Sequence, residues 1–168
     1  MLADIFTTLF PPLLWTAALS SGLMAGIYFA FSVFVMTAFD RIPAANAVAA
    51  MNSINKVILR SLFMPLFFGS SLASIILIIT GIGMWGKTGA VMILSAGVIY
   101  IAGMFLCTVF FNVPLNDRLA RVDPNSAELQ AEWQNYFRKW TLWNHVRTLA
   151  SFATCTLCIY ALTNLAPA

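Results

Sequence analysis

The apolar residues of the chain form four long runs, separated by shorter polar stretches. No Asp, Glu, Lys or Arg occurs in residues 5–39, 61–86, 88–116 or 148–168. Each run can cross a hydrocarbon core of about 30 Å, for which about 20 helical residues suffice. The strict alternation of apolar and polar residues that is typical of a membrane β-barrel is absent. The pattern therefore predicts an all-α integral membrane four-helix bundle. We expect a single domain over residues 1–168, with spans at about 12–39, 61–85, 90–112 and 144–165.

The connections between the predicted spans add short amphipathic helices. In residues 44–60, apolar side chains recur at spacings of three and four, as on one face of a helix. Pro65 then predicts a bend into the second span. Aromatic side chains recur at the same spacings in residues 127–139, and we expect a separate helix there, on the membrane surface or across the open end of the bundle. The connection at residues 86–89 is so short that the second and third spans must be antiparallel neighbours.

Composition and charge support a membrane protein and predict its orientation. Hydrophobic residues make up 61% of the chain, charged residues make up 9%, and the mean hydropathy is +0.86, which excludes an ordinary soluble domain. Apart from Lys87, all basic residues lie in the first and third connections. The positive-inside rule therefore predicts both termini outside and both amphipathic helices on the cytoplasmic side. We expect the membrane to be a bacterial inner (plasma) membrane. No basic residue precedes the first apolar run, so we expect that helix to be retained rather than cleaved as a signal.

Several kinds of chemistry find no support in the sequence. Cys107, Cys155 and Cys158 lie within predicted spans, where a thiol stays protonated and packs as a small apolar group. The chain has one His and no cluster of His, Cys or carboxylates with ligand spacing, so we expect no metal. A glycine-rich nucleotide fingerprint is also absent, and we expect no cofactor. The net charge of +3 gives no indication of nucleic-acid binding.

The start of the fourth apolar run carries the most unusual polar residues. Asn144, His145 and Arg147 stand at its entrance, and an ionisable residue inside a membrane is a functional hypothesis by default. Alternatively, Arg147 and His145 extend to the lipid headgroups. Helical spacing puts Trp140, Asn144 and Arg147 on one face, whereas His145 and Arg147 diverge by about 200°. Only one of the two can readily face a shared pocket, and we favour Arg147.

Other amides fall at the same end of the predicted bundle. Asn112 and Asn116 are four residues apart and so lie on one helical face, and Pro114 between them frees the carbonyl of Phe110. Asn55 lies beside the apolar stripe of the first amphipathic helix, either as a solvated interface residue or as part of a pocket. We predict that these amides meet Asn144 and Arg147 in a polar pocket at the cytoplasmic mouth of the bundle.

Several motifs together resemble a known family. They are Gly22-Leu-Met-Ala-Gly26, Phe29-Ala-Phe-Ser, Val35-Met36, Ile54-Asn55, Asn112-Val-Pro-Leu-Asn116 and Trp143-Asn144 with Arg147. In this order they resemble the anthrone oxygenase-like family of small four-helix membrane proteins, most of whose bacterial members have no assigned function. The resemblance covers nearly the whole chain. Thr37 departs from the pattern, because many members have Pro at this position.

The resemblance implies a cofactor-independent oxygenase that acts on a lipophilic aromatic substrate, because fungal relatives are associated with oxidising an anthrone to an anthraquinone with molecular oxygen. Such a site needs a base and hydrogen-bond donors for the developing enolate. His145 is the candidate base, since its unperturbed pKa is near neutrality. The candidate donors are Arg147, Asn144, Asn112 and Asn116. The candidate substrate-binding residues are Asn55, Trp140, Trp143 and Phe111, of which the three aromatic side chains would enclose a flat substrate.

Two other classes of function are compatible with the same residues. The chain could be a binding or transport module for a lipophilic small molecule, with the same polar cluster but no chemistry. It could also be a structural membrane protein whose amides cap helix ends and hold the bundle together. The expected partners are a lipophilic small molecule, molecular oxygen and the lipid bilayer, without nucleic acid. Homo-oligomerisation stays open.

Overall fold

A computed structural model describes residues 2–164 of the protein and the side chains of residues 10–164. Within this part, the chain is helical and contains no strand. The α-helices are α1 (Leu2–Ala30), α2 (Met36–Phe39), α3 (Ala44–Ile58), α4 (Phe63–Gly83), α5 (Ala90–Tyr100), α6 (Val113–Leu119) and α7 (Leu129–Asn164). Wider π-helical turns connect α1 to α2 and α5 to α6, and they are Phe31–Val35, Ile101–Leu106 and Thr108–Asn112.

Four helical stretches are long and apolar enough to cross a membrane. They are the first span (Phe10–Phe39), the second (Phe63–Gly83), the third (Ala90–Leu119) and the fourth (Leu129–Asn164). The predicted all-α membrane bundle is therefore confirmed. The first span packs along the fourth, and the second packs along the third, which also contacts the fourth. The first and third connections lie at the same end of the bundle, which we call the basic end because eight of the nine Lys and Arg residues lie in or next to them.

Small residues bring the second and third spans into direct backbone contact. A Cβ atom on Gly97 would lie 2.5 Å from the carbonyl oxygen of Ser74, and one on Gly81 would lie 2.7 Å from the backbone nitrogen of Leu94. Close backbone approach of this kind is how helices associate in lipid, where van der Waals packing replaces the hydrophobic effect. The two helices are joined by a short turn with Gly86 and Gly89 at φ values of 82° and 83°.

The fourth helix differs from the prediction, since the separate helix expected over residues 127–139 is the first part of α7. No Gly or Pro interrupts residues 125–164, so nothing in the sequence breaks the helix there. The aromatic face is not on a surface either. Trp133, Tyr136 and Trp140 are buried against residues of the first span, α3 and α6. The Trp133 indole also donates a 2.9 Å hydrogen bond to Asp40 at the end of the first span.

Helix α3 is separate, as its apolar stripe predicts. Ala47, Val48 and Met51 on this stripe are buried, and they pack in the same cluster as the aromatic face of α7. The chain then turns after Ile58, and α4 begins at Phe63. Helix α3 and the start of α7 together cover the basic end of the bundle.

Candidate functional site

A cavity of about 460 Å³ lies at the basic end of the bundle. The first span, α3, the start of α4, the third span and α7 all contribute to its walls, which are mostly apolar. The lining residues that are also exposed mark its opening, and they include Leu59, Phe68, Val109 and Val113. The cavity therefore opens on the outer face of the bundle, between the α3–α4 turn and the third span.

Arg147 lines this cavity although it lies within the fourth span. Its side chain is only 5% exposed. The guanidinium donates a 2.6 Å hydrogen bond to Asn144 Oδ1 and makes a longer contact of 3.4 Å with Thr108 Oγ1. Its central carbon lies 4.3 Å from the ring centroid of Tyr28 and 5.0 Å from that of Trp140. Both distances are within the range of cation–π attraction, so the two rings hold the guanidinium in place.

The charge of Arg147 has no counter-charge in the part of the chain whose side chains are described. The only ion pair found there joins Arg118 to Glu132, at 2.7 Å. Arg147 Nε is also buried without a hydrogen-bond partner. Burial of an unpaired charge is costly, and removing water from a guanidinium strengthens its attraction for any negative oxygen. The site is therefore suited to a ligand that brings an anionic or strongly polarised oxygen.

Asn144 positions the guanidinium of Arg147 from the side away from the cavity. It is completely buried, and its Nδ2 donates to the carbonyl of Tyr28 and to Ser32 Oγ, both at 2.7 Å. Its Oδ1 accepts from Arg147. The Tyr28 carbonyl lies one turn before the π-helical turn at Phe31–Val35, and such wide turns often occur at functional sites. The predicted pairing of Asn144 with Arg147 is therefore present, but Asn144 does not itself line the cavity.

The two amides of the third span have different surroundings. Asn112 is completely buried and absent from the cavity wall. Its Nδ2 donates to the carbonyl of Trp140 at 3.3 Å, so it ties the third span to the fourth rather than facing a ligand. Asn116 lines the cavity, and its Oδ1 accepts a 2.9 Å hydrogen bond from the Tyr136 hydroxyl. Of the predicted oxyanion donors, only Arg147 and Asn116 therefore reach the cavity.

Three further predicted site residues lie away from the cavity, as Asn112 and Asn144 do. His145 is exposed and does not line it, because one helical step rotates it away from the face that carries Asn144 and Arg147. Phe111 and Trp143 also lie outside it, and their rings stack on each other with centroids 3.7 Å apart and an angle of 8°. They leave no space for a substrate between them. Trp140 does line the cavity, as does Asn55 on α3.

Sequence reasoning missed several residues of the cavity wall. Tyr28 and Thr108 contact Arg147 from the first and third spans. Phe63, Phe67 and Phe105 form a stacked aromatic wall, with centroid distances of 6.0 Å and 5.3 Å between successive rings. The sequence did contain a hint of Tyr28, because Tyr28 and Ser32 carry hydroxyl groups on one helical face of a run without charged residues. In the structure, Ser32 Oγ accepts a hydrogen bond from Asn144 on the fourth span.

The titratable residues that line the cavity are few. Apart from Arg147 and Tyr28, the wall includes Lys56 on α3 and Asp117 near the end of the third span, both exposed at the rim. Asp117 is the only carboxylate in the cavity wall. No group of three or more His, Cys, Asp or Glu side chains that could hold a metal ion occurs among the described residues.

Comparison with known proteins gives one match. No curated protein and no solved structure matches the chain. Residues 58–157 match the family described as anthrone oxygenase. The matched segment contains the second and third spans and most of the fourth, including Asn112, Asn116, Asn144 and Arg147. Since this segment makes up more than half of the chain, the protein belongs to the anthrone oxygenase family.

Proposed function

We propose that the protein is a membrane-embedded oxygenase that uses molecular oxygen to oxidise a lipophilic aromatic substrate with an acidic C–H group conjugated to a carbonyl. The observation that carries this proposal is a buried Arg147 without a counter-charge on the wall of an apolar cavity. A cationic donor in such surroundings favours an enolate over its neutral parent. Membership of the anthrone oxygenase family supports an anthrone as the model substrate.

The cavity is suitable for such a substrate. Its volume of about 460 Å³ lies within the usual range of small-molecule pockets, about 300 to 1,000 Å³. Aromatic rings from three spans form its walls, and flat substrates pack well against such rings. The opening on the outer face of the bundle would admit a substrate from the bilayer without passage through water. The arrangement therefore supports a lipophilic rather than a water-soluble substrate.

The first chemical step is removal of a proton from the methylene of the bound anthrone. Arg147 attracts the negative charge that develops on the conjugated oxygen, and this attraction is strong where water is excluded. Asn144, Tyr28 and Trp140 fix the guanidinium before the substrate binds, so little reorganisation is needed. Asp117 at the rim accepts the proton, directly or through water. Asp117 replaces His145 as the base, since His145 does not line the cavity.

The electron-rich carbanion then reacts with oxygen. A C–O bond forms, and protonation gives a hydroperoxide on the former methylene carbon. Loss of the second proton from that carbon breaks the O–O bond, forms the new carbonyl and releases water. Each turnover consumes one oxygen molecule and forms one quinone and one water. The substrate supplies all the electrons, so no other reductant and no cofactor take part in the proposed reaction.

Oxygen uptake by the purified protein in detergent, with a model anthrone, tests the proposed function. We expect the wild type to exceed the uncatalysed rate, Arg147→Ala to lose this excess, and Arg147→Lys to retain part of it. Arg138→Ala is the matched control, because Arg138 lies on the same helix but is exposed. Wild-type uptake no faster than background would contradict the proposal. Binding of an anthraquinone without any uptake above background would instead favour a binding or transport module.

We also propose that both termini face the outside of a bacterial inner membrane. The proposal rests on the asymmetric distribution of Lys and Arg. Fusion of a reporter that is active only outside the cytoplasm to the C-terminus should give an active reporter. The same reporter inserted between residues 123 and 126 should be inactive. The opposite pair of results would overturn the orientation.

A further inference from the structure

Helix α3 presents two amides with unused hydrogen-bonding atoms to the same cavity. Asn52 and Asn55 are three residues apart, and both line the cavity. Asn52 Oδ1 and Asn55 Nδ2 are buried without any hydrogen-bond partner. A buried polar atom without a partner is unfavourable, and in native proteins it calls for an explanation such as a ligand. The pair therefore points to a ligand rather than to the stability of the fold.

Neighbouring polar groups do not satisfy these amides. Asn55 lies near the hydroxyl of Tyr136, which donates to Asn116 Oδ1 at 2.9 Å, but the contact with Asn55 does not reach hydrogen-bond geometry, and Asn55 Nδ2 has no partner. Asn46, on the same helix, is exposed to the surroundings and lies outside the cavity. The unsatisfied amides of α3 are thus those that face the cavity.

We propose that Asn52 and Asn55 form a subsite for a hydroxyl group of the ligand on the α3 side of the cavity, separate from Arg147 on α7. Together they offer one free acceptor and one free donor, and a hydroxyl both donates and accepts. The inference rests on the proposed function only in taking the occupant of the cavity to be an aromatic molecule.

The two polar sites lie on different parts of the cavity wall. The guanidinium carbon of Arg147 on α7 is 5.0 Å from the ring centroid of Trp140, and the Trp140 ring is 6.1 Å from the ring of Tyr136, which lies near Asn55 on α3. A ligand that brings its carbonyl or enolate oxygen to Arg147 would therefore meet the two amides with a second polar group.

Binding of two quinones of the same shape tests the subsite without any need for turnover. One is anthraquinone with a hydroxyl on the β position of an outer ring, and the other has a methyl group there. We expect the full-length wild-type protein in detergent to bind the hydroxyl compound at least about tenfold more tightly in titration calorimetry, because a site built to bond a hydroxyl rejects an analogue without it. Asn52→Leu and Asn55→Leu should reduce the preference toward onefold. Asn46→Leu is the matched control and should retain it.

The outcomes separate this inference from the proposed function. Unchanged binding of the methyl compound shows that the leucine variants are folded. Equal affinities in the wild type, a preference unchanged in both leucine variants, or no binding of either quinone would overturn the subsite. A clear preference for the hydroxyl compound without oxygen uptake on any anthrone would contradict the oxygenase function but support the subsite. Oxygen uptake without such a preference would support the oxygenase function but contradict the subsite.

Discussion

The two ends of the bundle are built in different ways. Away from the basic end, Leu14, Leu77 and Ile93 belong to a buried apolar cluster, and Gly81 and Gly97 bring the second and third spans into contact. At the basic end, aromatic side chains hold the spans apart around a cavity of about 460 Å³. One end maximises contact between helices, and the other leaves space between them.

The two regions also differ in whether their buried polar groups have hydrogen-bond partners. In the tightly packed region, Ser21 donates to the carbonyl of Ala17 at 2.6 Å, and Thr154 donates to the carbonyl of Ala96 at 2.9 Å. Among residues 10–164, the buried polar side-chain atoms without partners all lie in α3 or in residues 140–151 of α7. They belong to Asn52, Asn55, Trp140, Thr141, Arg147 and Ser151. The tightly packed region has its polar groups satisfied by hydrogen bonds, whereas the wall of the cavity includes polar groups that are not.

The largest effect should come from overfilling the packed end. In Gly97→Leu, the new Cβ would lie 2.5 Å from the carbonyl oxygen of Ser74, which is backbone and cannot move aside alone. We expect a loss of about 3 kcal/mol or more in stability, measured by thermal unfolding in detergent. Gly69→Leu is the matched control, because no atom lies within 4 Å of a Cβ there. Equal stability of the two variants would contradict the close packing of these spans.

Removing the charge of Arg147 at the basic end should lower activity strongly and stability only slightly. Arg147→Met keeps an apolar chain of similar length but removes the guanidinium, so we expect oxygen uptake to fall by about 1,000-fold. The melting temperature should fall far less than in Gly97→Leu, because an unpaired buried charge is itself unfavourable. Arg138→Met controls for loss of surface charge. Collapse of the fold in Arg147→Met, with activity retained in whatever remains folded, would show that Arg147 is structural.

A smaller effect is expected from the proposed base. Asp117→Asn preserves shape but cannot accept a proton, and we expect kcat to fall by about 100-fold with little change in KM. Asp117 is exposed, so stability should change by less than about 0.5 kcal/mol. Stopped-flow oxygen consumption at several pH values measures both constants. Full activity in Asp117→Asn would contradict the role of Asp117 as the base.

The smallest effect is expected at His145. It is exposed and outside the cavity, so His145→Ala should change the rate of oxygen uptake by less than about twofold and stability by less than about 0.5 kcal/mol. Loss of activity comparable with that of Arg147→Met would return His145 to the role of base. It would also contradict the position of the cavity.

Much of the fold was predictable from the sequence, because charge-free runs of membrane length are a strong signal. The spacing of Asn144 and Arg147 also predicted their shared face. The continuity of α7 was missed because its aromatic series looks like an amphipathic surface helix, whereas α3 buries that face. The sequence shows that residues 125–164 contain no Gly or Pro, but it does not show which element covers the aromatic residues.

The site was predictable only within single helices. Tyr28 and Thr108 reach Arg147 from other spans, and this depends on how those helices are rotated and shifted along their axes. Membrane helices are apolar on most faces, so periodicity does not determine that rotation. Phe111 and Trp143 illustrate the limit, since they were expected around a substrate but stack on each other. One residue along a helix changes the direction of a side chain by about 100°.

The most direct test of the role of Arg147 is the ionisation of a bound anthrone in the absence of oxygen. The enolate of an anthrone absorbs visible light and the neutral form does not, so a pH titration gives the pKa of the bound substrate. With the wild type we expect this pKa to be lower than that of free anthrone in the same detergent by about one unit or more, since a nearby cation favours the charged form. Arg147→Met should abolish the shift. An identical pKa for bound and free anthrone, or a shift that survives in Arg147→Met, would contradict an anion-stabilising role for Arg147.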